Sequence, residues 1–282
     1  MNLSVGELRF LYNNREVLHE VSCTIEPGQI VSVLGPNGVG KTTLLKCLNR
    51  ILKPESGTIY LGEENLLGLR TMEIARRIGY VPQRVETGRL TAFDAVLLGR
   101  RPHIGWDITA KDLKIVDAAF HRLSMEHLRL CYIDEMSGGE LQKIAIARAL
   151  VQEPKILLLD EPTSNLDLKN QVEILAVIAG IVRQHDIAAV MTMHDLNQAL
   201  RFSDRFIFLK GGTVHLFGTG DDVTPGIIEE VYGIPVIIGD LGGVRCIVPD
   251  HCCIDRSTIP ACERTPYDKR RFIGPVAPVR PD

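Results

Sequence analysis

Gln29-Ile30-Val31-Ser32-Val33-Leu34-Gly35-Pro36-Asn37-Gly38-Val39-Gly40-Lys41-Thr42-Thr43 reads as three pieces in a row: a buried strand, a glycine-rich turn and the start of a helix. Residues 35–42 fit G-x-x-x-x-G-K-[ST], and a strand before and a helix after are the setting that pattern requires. Glycines let the backbone approach closely enough for several N–H groups to point at phosphate oxygens. The following helix adds its positive N-terminal dipole. The Lys41 ammonium would neutralise charge on the β- and γ-phosphates, and the Thr42 hydroxyl would ligate Mg²⁺. Gly35, Pro36, Asn37, Gly38, Gly40, Lys41, Thr42 and Thr43 are the expected triphosphate-binding set. The pattern alone does not separate adenine from guanine.

A second buried strand, Ile156-Leu157-Leu158-Leu159, ends in Asp160-Glu161. In a parallel sheet, ligands lie at the carboxyl ends of the strands, so both acids fall beside the phosphate loop. Asp160 is the candidate metal partner, because a hard cation prefers carboxylate and water oxygen. Glu161 stands where a water attacking the γ-phosphate could be aligned or deprotonated.

Working outward, residues 3–34 are short alternating or apolar runs broken by Asn13-Asn14 and Pro27-Gly28, a strand-rich start. A helix is expected from Thr42 to Asn49, with Leu44, Leu45 and Leu48 at helical spacing. Strand signals fade between residues 84 and 151, where Ala92–Leu98, Ala110–Leu123 and Glu140–Val151 read as helices. Beyond Pro154 strands and helices alternate again: a helix over 169–184, a strand over 188–192, a helix over 196–203. Short strands follow at Phe206–Leu209 and Val214–Phe217. Alternation of this kind implies an α/β fold with a mainly parallel sheet covered by helices.

The composition excludes several function classes. With 32 Lys+Arg against 35 Asp+Glu among 282 residues, no basic field invites nucleic acid or acidic lipid. Aromatics make up only 5%, with Trp106 the one tryptophan, which removes a stacking platform for single strands. The longest apolar stretch, Ile174 to Val182, has nine residues, far short of the ~20 that span a bilayer. The first residues show no basic and then apolar leader. Seven cysteines, an odd number without framework spacing, fit a reduced, cytosolic setting.

Met136-Ser137-Gly138-Gly139-Glu140-Leu141-Gln142 precedes an apolar helical stretch and offers a second small anion cradle of N–H groups, a hydroxyl and a dipole. In this order after the phosphate loop and before Asp160, it resembles the L-S-G-G-[QE] signature of the ATP-binding cassette (ABC) family, with Met136 in place of the usual Leu. Further residues resemble the family's motifs in order. Tyr12 lies where the family stacks an aromatic on adenine. Gln83, in Gly79-Tyr80-Val81-Pro82-Gln83, resembles the glutamine loop that contacts Mg²⁺ and water and senses the membrane partner. Asp167, in Ser164-Asn165-Leu166-Asp167, resembles part of the family's loop that crosses to a second subunit. His194 resembles the switch histidine at the γ-phosphate.

The resemblance implies an ATPase with a mainly parallel core sheet, an antiparallel N-terminal β subdomain and an inserted helical subdomain. The expected division is a cassette over 1–236, with core 1–83 and 152–236 and helical insert 84–151, then a partly extended or disordered extension over 237–282. Ser137, Gly138, Gly139 and Glu140 of one copy would close on ATP held by Lys41 of a second copy, and hydrolysis would release the pair.

Three systems could use such an engine: a membrane importer, a soluble cassette acting on DNA or the ribosome, or a P-loop GTPase or kinase. One cassette without a heptad run, a fused membrane segment or an Asn-Lys-x-Asp guanine reader favours the importer. Leu98-Gly99-Arg100-Arg101-Pro102-His103, His194-Asp195-Leu196-Asn197-Gln198-Ala199 and Ile228-Glu229-Glu230-Val231-Tyr232-Gly233-Ile234 resemble the group handling iron–siderophore, haem and cobalamin complexes; zinc/manganese and molybdate importers are the near competitors. The resemblance implies permease subunits as partners, a substrate-binding protein beyond them, and a place on the cytoplasmic face of the membrane. Segment 84–106 would form part of the groove for a permease helix. His251, Cys252, Cys253 and Cys262 lack zinc-site spacing and read as reduced residues of a variable tail.

Overall fold

In the computed structural model residues 1–250 are described. The chain opens with β1 (Leu3–Tyr12) and β2 (Arg15–Ile25), paired antiparallel across Asn13-Asn14. Both asparagines have positive φ, 45° and 64°, the backbone that a two-residue hairpin turn demands and that Asn tolerates. β3 (Ile30–Leu34) is buried along its whole length and leads through the glycine-rich loop into α1 (Lys41–Leu48). β4 (Ser56–Leu61) and β5 (Glu64–Asn65) complete an antiparallel sheet of order β2-β1-β4-β5. α2 (Thr71–Ala75) and β6 (Ile78–Val81) follow.

From residue 82 to residue 151 helices dominate: α3 (Ala92–Leu97), α4 (Ala110–Arg122) and α5 (Gly138–Leu150). Each starts on a side-chain cap: Thr91 accepts from Asp94 N, Thr109 from Asp112 N and Ser137 from Glu140 N. Such caps satisfy one of the donors that a helix start leaves unpaired.

The remainder alternates: β7 (Ile156–Leu159), α6 (Leu168–His185), β8 (Ala188–Thr192), α7 (Leu196–Phe202), β9 (Arg205–Lys210), β10 (Thr213–Gly218) and α8 (Pro225–Tyr232). The second sheet runs β10-β9-β3-β8-β7-β6, parallel throughout except for the β9–β10 pair. Strands β3, β7 and β8 are buried at every residue, which is why they read as largely apolar runs. Val31, Val33, Ile156, Leu158, Ala188 and Val190 face the antiparallel sheet and α1. Ile30, Leu34, Leu157, Leu159, Ala189 and Met191 face the helical side. Each buried Val, Leu or Ile contributes about 1.5–3 kcal/mol. Strands β3, β7 and β8 lie side by side, so the loops leaving Leu34, Leu159 and Thr192 emerge at one edge.

The fold continues past residue 236, where the sequence reading ended the cassette. β11 (Val236–Leu241) and β12 (Val244–Pro249) form an antiparallel hairpin. Asn197 on α7 holds it, accepting from Ile247 N at 2.7 Å and donating to Ile247 O at 3.2 Å. Residues Met1–Pro249 make one compact unit. Residues 236–249 are therefore paired rather than extended, because a Gly242-Gly243 turn between apolar strands lets the chain fold back. His251, Cys252, Cys253 and Cys262 lie outside the described residues.

Candidate nucleotide site

The loop after β3 is glycine-dependent at two points. Gly35 has φ 143°, and a Cβ there would stand 2.5 Å from Leu209 O on β9. Gly40 has φ 111°, and a Cβ would meet Leu18 Cδ2 at 2.9 Å. Gly40 caps α1 without a side-chain bond, so the first N–H groups of the helix point unpaired toward the loop. Lys41 is buried and bends back over the loop, its Nζ donating to Gly35 O at 2.7 Å and Pro36 O at 3.1 Å. Burial pulls the Lys41 pKa below its ordinary value, while the carboxylates of Glu161 and Asp160 oppose that shift.

Asp160 follows β7 and is 2% exposed. Its Oδ1 accepts from Thr42 Oγ1 at 2.9 Å and from Thr192 Oγ1 at 2.8 Å. Glu161 adopts a left-handed backbone, φ 48°, held by its N–H donating to the same Thr192 oxygen at 2.8 Å. Its carboxylate accepts from Gln83 Nε2 on one oxygen and meets His194 Nε2 on the other. Gln83, Glu161 and His194, far apart in sequence, thus form one cluster.

A cleft of about 630 Å³ opens over this floor, lined by residues 37–43, Glu161, Gly211 and Gly212, with Tyr12 on one side. Tyr12 is 45% exposed and braced by the edge-to-face ring of Phe10 at 4.7 Å. Its position at the end of β1 follows from the Asn13-Asn14 turn that stops the strand.

Ser137, Gly138, Gly139 and Glu140 stand elsewhere, and none of them lines the cleft. The Glu140 carboxylate accepts from Ser137 N at 2.9 Å and Ser137 Oγ at 2.6 Å, and these bonds hold its pKa below the usual carboxylate range. Gly139 is pressed against Asn170, where a Cβ would stand 2.9 Å from Oδ1. Asp167 caps α6 by accepting from Asn170 N at 2.8 Å, so Asn170 touches both motifs. The sequence-predicted residues therefore fall into two groups: a cleft group around Lys41, Asp160 and Glu161, and a second group around Ser137 and Asp167.

Three residues of this architecture were not singled out from sequence. Thr192 joins Asp160 to Glu161, and its only sequence signal is a polar residue ending an apolar strand. Tyr232, last residue of α8, accepts from Gly35 N at 2.9 Å across 197 residues. Arg100 is 2% exposed and binds Asp112 Oδ1, Val151 O and Glu153 Oε2.

Comparison with known proteins agrees with this geometry. Residues 18–164 match the family described as ABC transporter. An uncharacterized ABC transporter ATP-binding protein of Methanocaldococcus jannaschii is 49% identical over 249 residues, 88% of this chain and 98% of that one. The iron(3+)-hydroxamate import ATP-binding protein of Bacillus subtilis is 37% identical over 83% of this chain and 88% of its own length. Among solved structures, one described as an inward-facing conformation of a metal-chelate type ABC transporter superposes with TM-score 0.78 at 30% identity. It covers 88% of this chain and 97% of that one. A dimeric cassette bound to ADP and phosphate superposes with TM-score 0.68 at 28% identity, over 77% of this chain and 98% of that one. With the phosphate loop, the acidic strand end and the second motif group in place, this chain belongs to the ABC transporter family as an ATP-binding subunit with ATPase chemistry.

Proposed function

We propose that this chain is the ATP-hydrolysing subunit of an importer for a metal chelate such as iron–siderophore, haem or cobalamin, working as a pair of copies. The observation that carries the ATPase part is Glu161. It lines the cleft beside the phosphate loop and meets Gln83 with one carboxylate oxygen and His194 with the other.

Residues 35–43 wrap the phosphates of ATP, and Tyr12 takes the adenine. Lys41 leaves the carbonyls of Gly35 and Pro36 for the β- and γ-oxygens, exchanging neutral hydrogen bonds for charge-assisted ones. Thr42 and Asp160, 2.9 Å apart, present hydroxyl and carboxylate oxygens, a donor set suited to Mg²⁺, and Gln83 adds an amide oxygen. When bound, Mg²⁺ neutralises charge on the phosphate oxygens. Glu161 accepts a proton from the attacking water, His194 orients against the γ-phosphate, and the bond from that phosphorus to the bridging oxygen breaks to give ADP and phosphate. Ser137, Gly138, Gly139 and Glu140, with Asp167 beside them, close on the nucleotide held by a second copy.

Attachment to the membrane comes through permease subunits on its cytoplasmic face, a reading that rests on the relatives named as import and transport ATP-binding proteins. No helix among the described residues is long and apolar enough to cross a bilayer. A groove of about 460 Å³ lined by Met72, Leu90, Leu98, Arg101, Ile104 and Ile108 suits a short apolar helix from such a subunit. Leu98 and Ile108 are half exposed there. The chelate class rests on relatives named for iron-hydroxamate, petrobactin, ferric enterobactin and cobalamin transport. The test is reconstitution in vesicles with a candidate metal-chelate permease. ATP-dependent accumulation of a ferric siderophore, haem or cobalamin is expected. Accumulation of free zinc or molybdate instead would move the chain to another importer group, and absence of phosphate release would overturn the ATPase role.

A further inference from the structure

The Gly35 N–H, first of the phosphate loop, does not face the cleft. It donates to Tyr232 Oη at 2.9 Å, while the Gly35 carbonyl accepts from Lys41 Nζ at 2.7 Å. Gly35 also sits against β9, where even a methyl group would stand 2.5 Å from Leu209 O. Pro36, next in the chain, has no N–H. Where the loop leaves β3, its first N–H is therefore held by one side chain, Tyr232 of α8, which lies 197 residues further along the chain.

That helix is rigidly seated. Ile228 and Val231 of α8 are buried in the core, Pro225 opens the helix, and Gly233, with φ 72°, ends it directly after Tyr232. The Tyr232 ring is half-buried, and burial pushes its phenol pKa up to about 12, so the hydroxyl stays neutral at physiological pH. A neutral phenol accepts one N–H without bringing charge to a site that must receive a triphosphate.

We propose that Tyr232 is a positioning residue for ATP binding: it fixes the Gly35 peptide, and with it the aim of the phosphate loop, from α8. This rests on the nucleotide-site reading above. It makes α8 part of the ATP site although no residue of α8 lines the cleft.

The experiment uses the full chain, with ATP affinity by calorimetric titration, steady-state hydrolysis and thermal unfolding without nucleotide. Tyr232→Phe keeps the ring and removes only the acceptor. A net hydrogen bond of ordinary strength corresponds to about two- to tenfold in affinity. ATP binding and KM should weaken by that factor with kcat nearly unchanged, since the bond serves bound substrate and transition state alike. Glu230→Gln takes the negative charge out of the contact of α8 with His215 but does not touch Gly35, so it should leave ATP affinity unchanged. Wild-type affinity and KM in Tyr232→Phe would overturn the proposal. So would equal weakening by Glu230→Gln, because that would reflect general loosening of α8. An unaltered chain that binds no ATP overturns the nucleotide-site reading and this proposal together.

Discussion

The Thr192 hydroxyl donates to Asp160 Oδ1 at 2.8 Å, and its oxygen accepts the Glu161 N–H at 2.8 Å. One fully buried hydroxyl on β8 thus sets both acids that end β7. Thr192→Val keeps the shape, removes the donor to Asp160 and strands the Glu161 N–H. A buried group left unpaired costs about 1–3 kcal/mol, which a urea titration will show as a lower midpoint at unchanged slope. Phosphate release should fall as well, because Glu161 holds its left-handed backbone, φ 48°, against that bond. Thr192→Ser should retain both properties. Full activity in the valine variant would mean that the hydroxyl does not organise the site.

Glu161→Gln tests the proton acceptor itself. The amide keeps the size of the side chain and can still meet Gln83 and His194, yet it cannot take a proton from water. General-base removal commonly costs about 10²–10⁴-fold, so turnover should drop by that order while ATP affinity stays near wild type. Size-exclusion chromatography with ATP should then show a dimer that the unaltered chain loses on hydrolysis. Normal phosphate release by this variant would remove Glu161 from the catalytic role.

Lys41→Ala separates binding from chemistry. The ammonium lies over Gly35 O and Pro36 O, where it can exchange carbonyl partners for phosphate. Charge-assisted bonds are worth about 1.5–3 kcal/mol, so ATP affinity should fall by roughly ten- to a hundredfold in a direct titration. The nucleotide-free fold should survive, since the lost bonds are to carbonyls at the cleft. Unchanged affinity would contradict the phosphate role.

What the sequence disclosed depended on whether the signal was local. Gly35 to Thr42 is read from adjacent residues, because strand, turn and helix follow without interruption. Asp160-Glu161 is read from the apolar strand before it. Thr192 and Tyr232 escaped because each acts on a residue far along the chain, and neither threonine at a strand end nor tyrosine at a helix end carries a distinctive pattern. Arg100 sits in a stretch noted for family likeness, but alternation gives no warning that an arginine is buried at 2% exposure. The β11–β12 hairpin is a different case. Val236–Leu241, Gly242-Gly243 and Val244–Pro249 display the strand–turn–strand signal, which the proline-rich residues beyond it masked.

Arg100 and Asp112 supply a prediction with a pH axis. Arg100 Nε lies 2.9 Å from Asp112 Oδ1, and Arg100 also donates to Val151 O just beyond α5 at 2.6 Å, tying α4 to the end of the signature helix. The Asp112 carboxyl is lowered from 3.8 to about 2, first by the hydroxyl and backbone N–H of Thr109 and then by Arg100. A carboxylate whose folded pKa is depressed adds stability above its unfolded value, and that increment is lost as pH falls toward the folded value. The urea midpoint of the unaltered chain should therefore exceed that of Asp112→Asn by a constant margin above pH 3.8. The margin should shrink as pH is lowered from 3.8 toward about 2. Arg100→Met leaves the Asp112 carboxylate without its cation and removes the donor to Val151 O, so its midpoint should fall further than that of Asp112→Asn at neutral pH. A margin between the unaltered chain and Asp112→Asn that stays flat across the acid window would show that Asp112 titrates at its ordinary value in the folded chain.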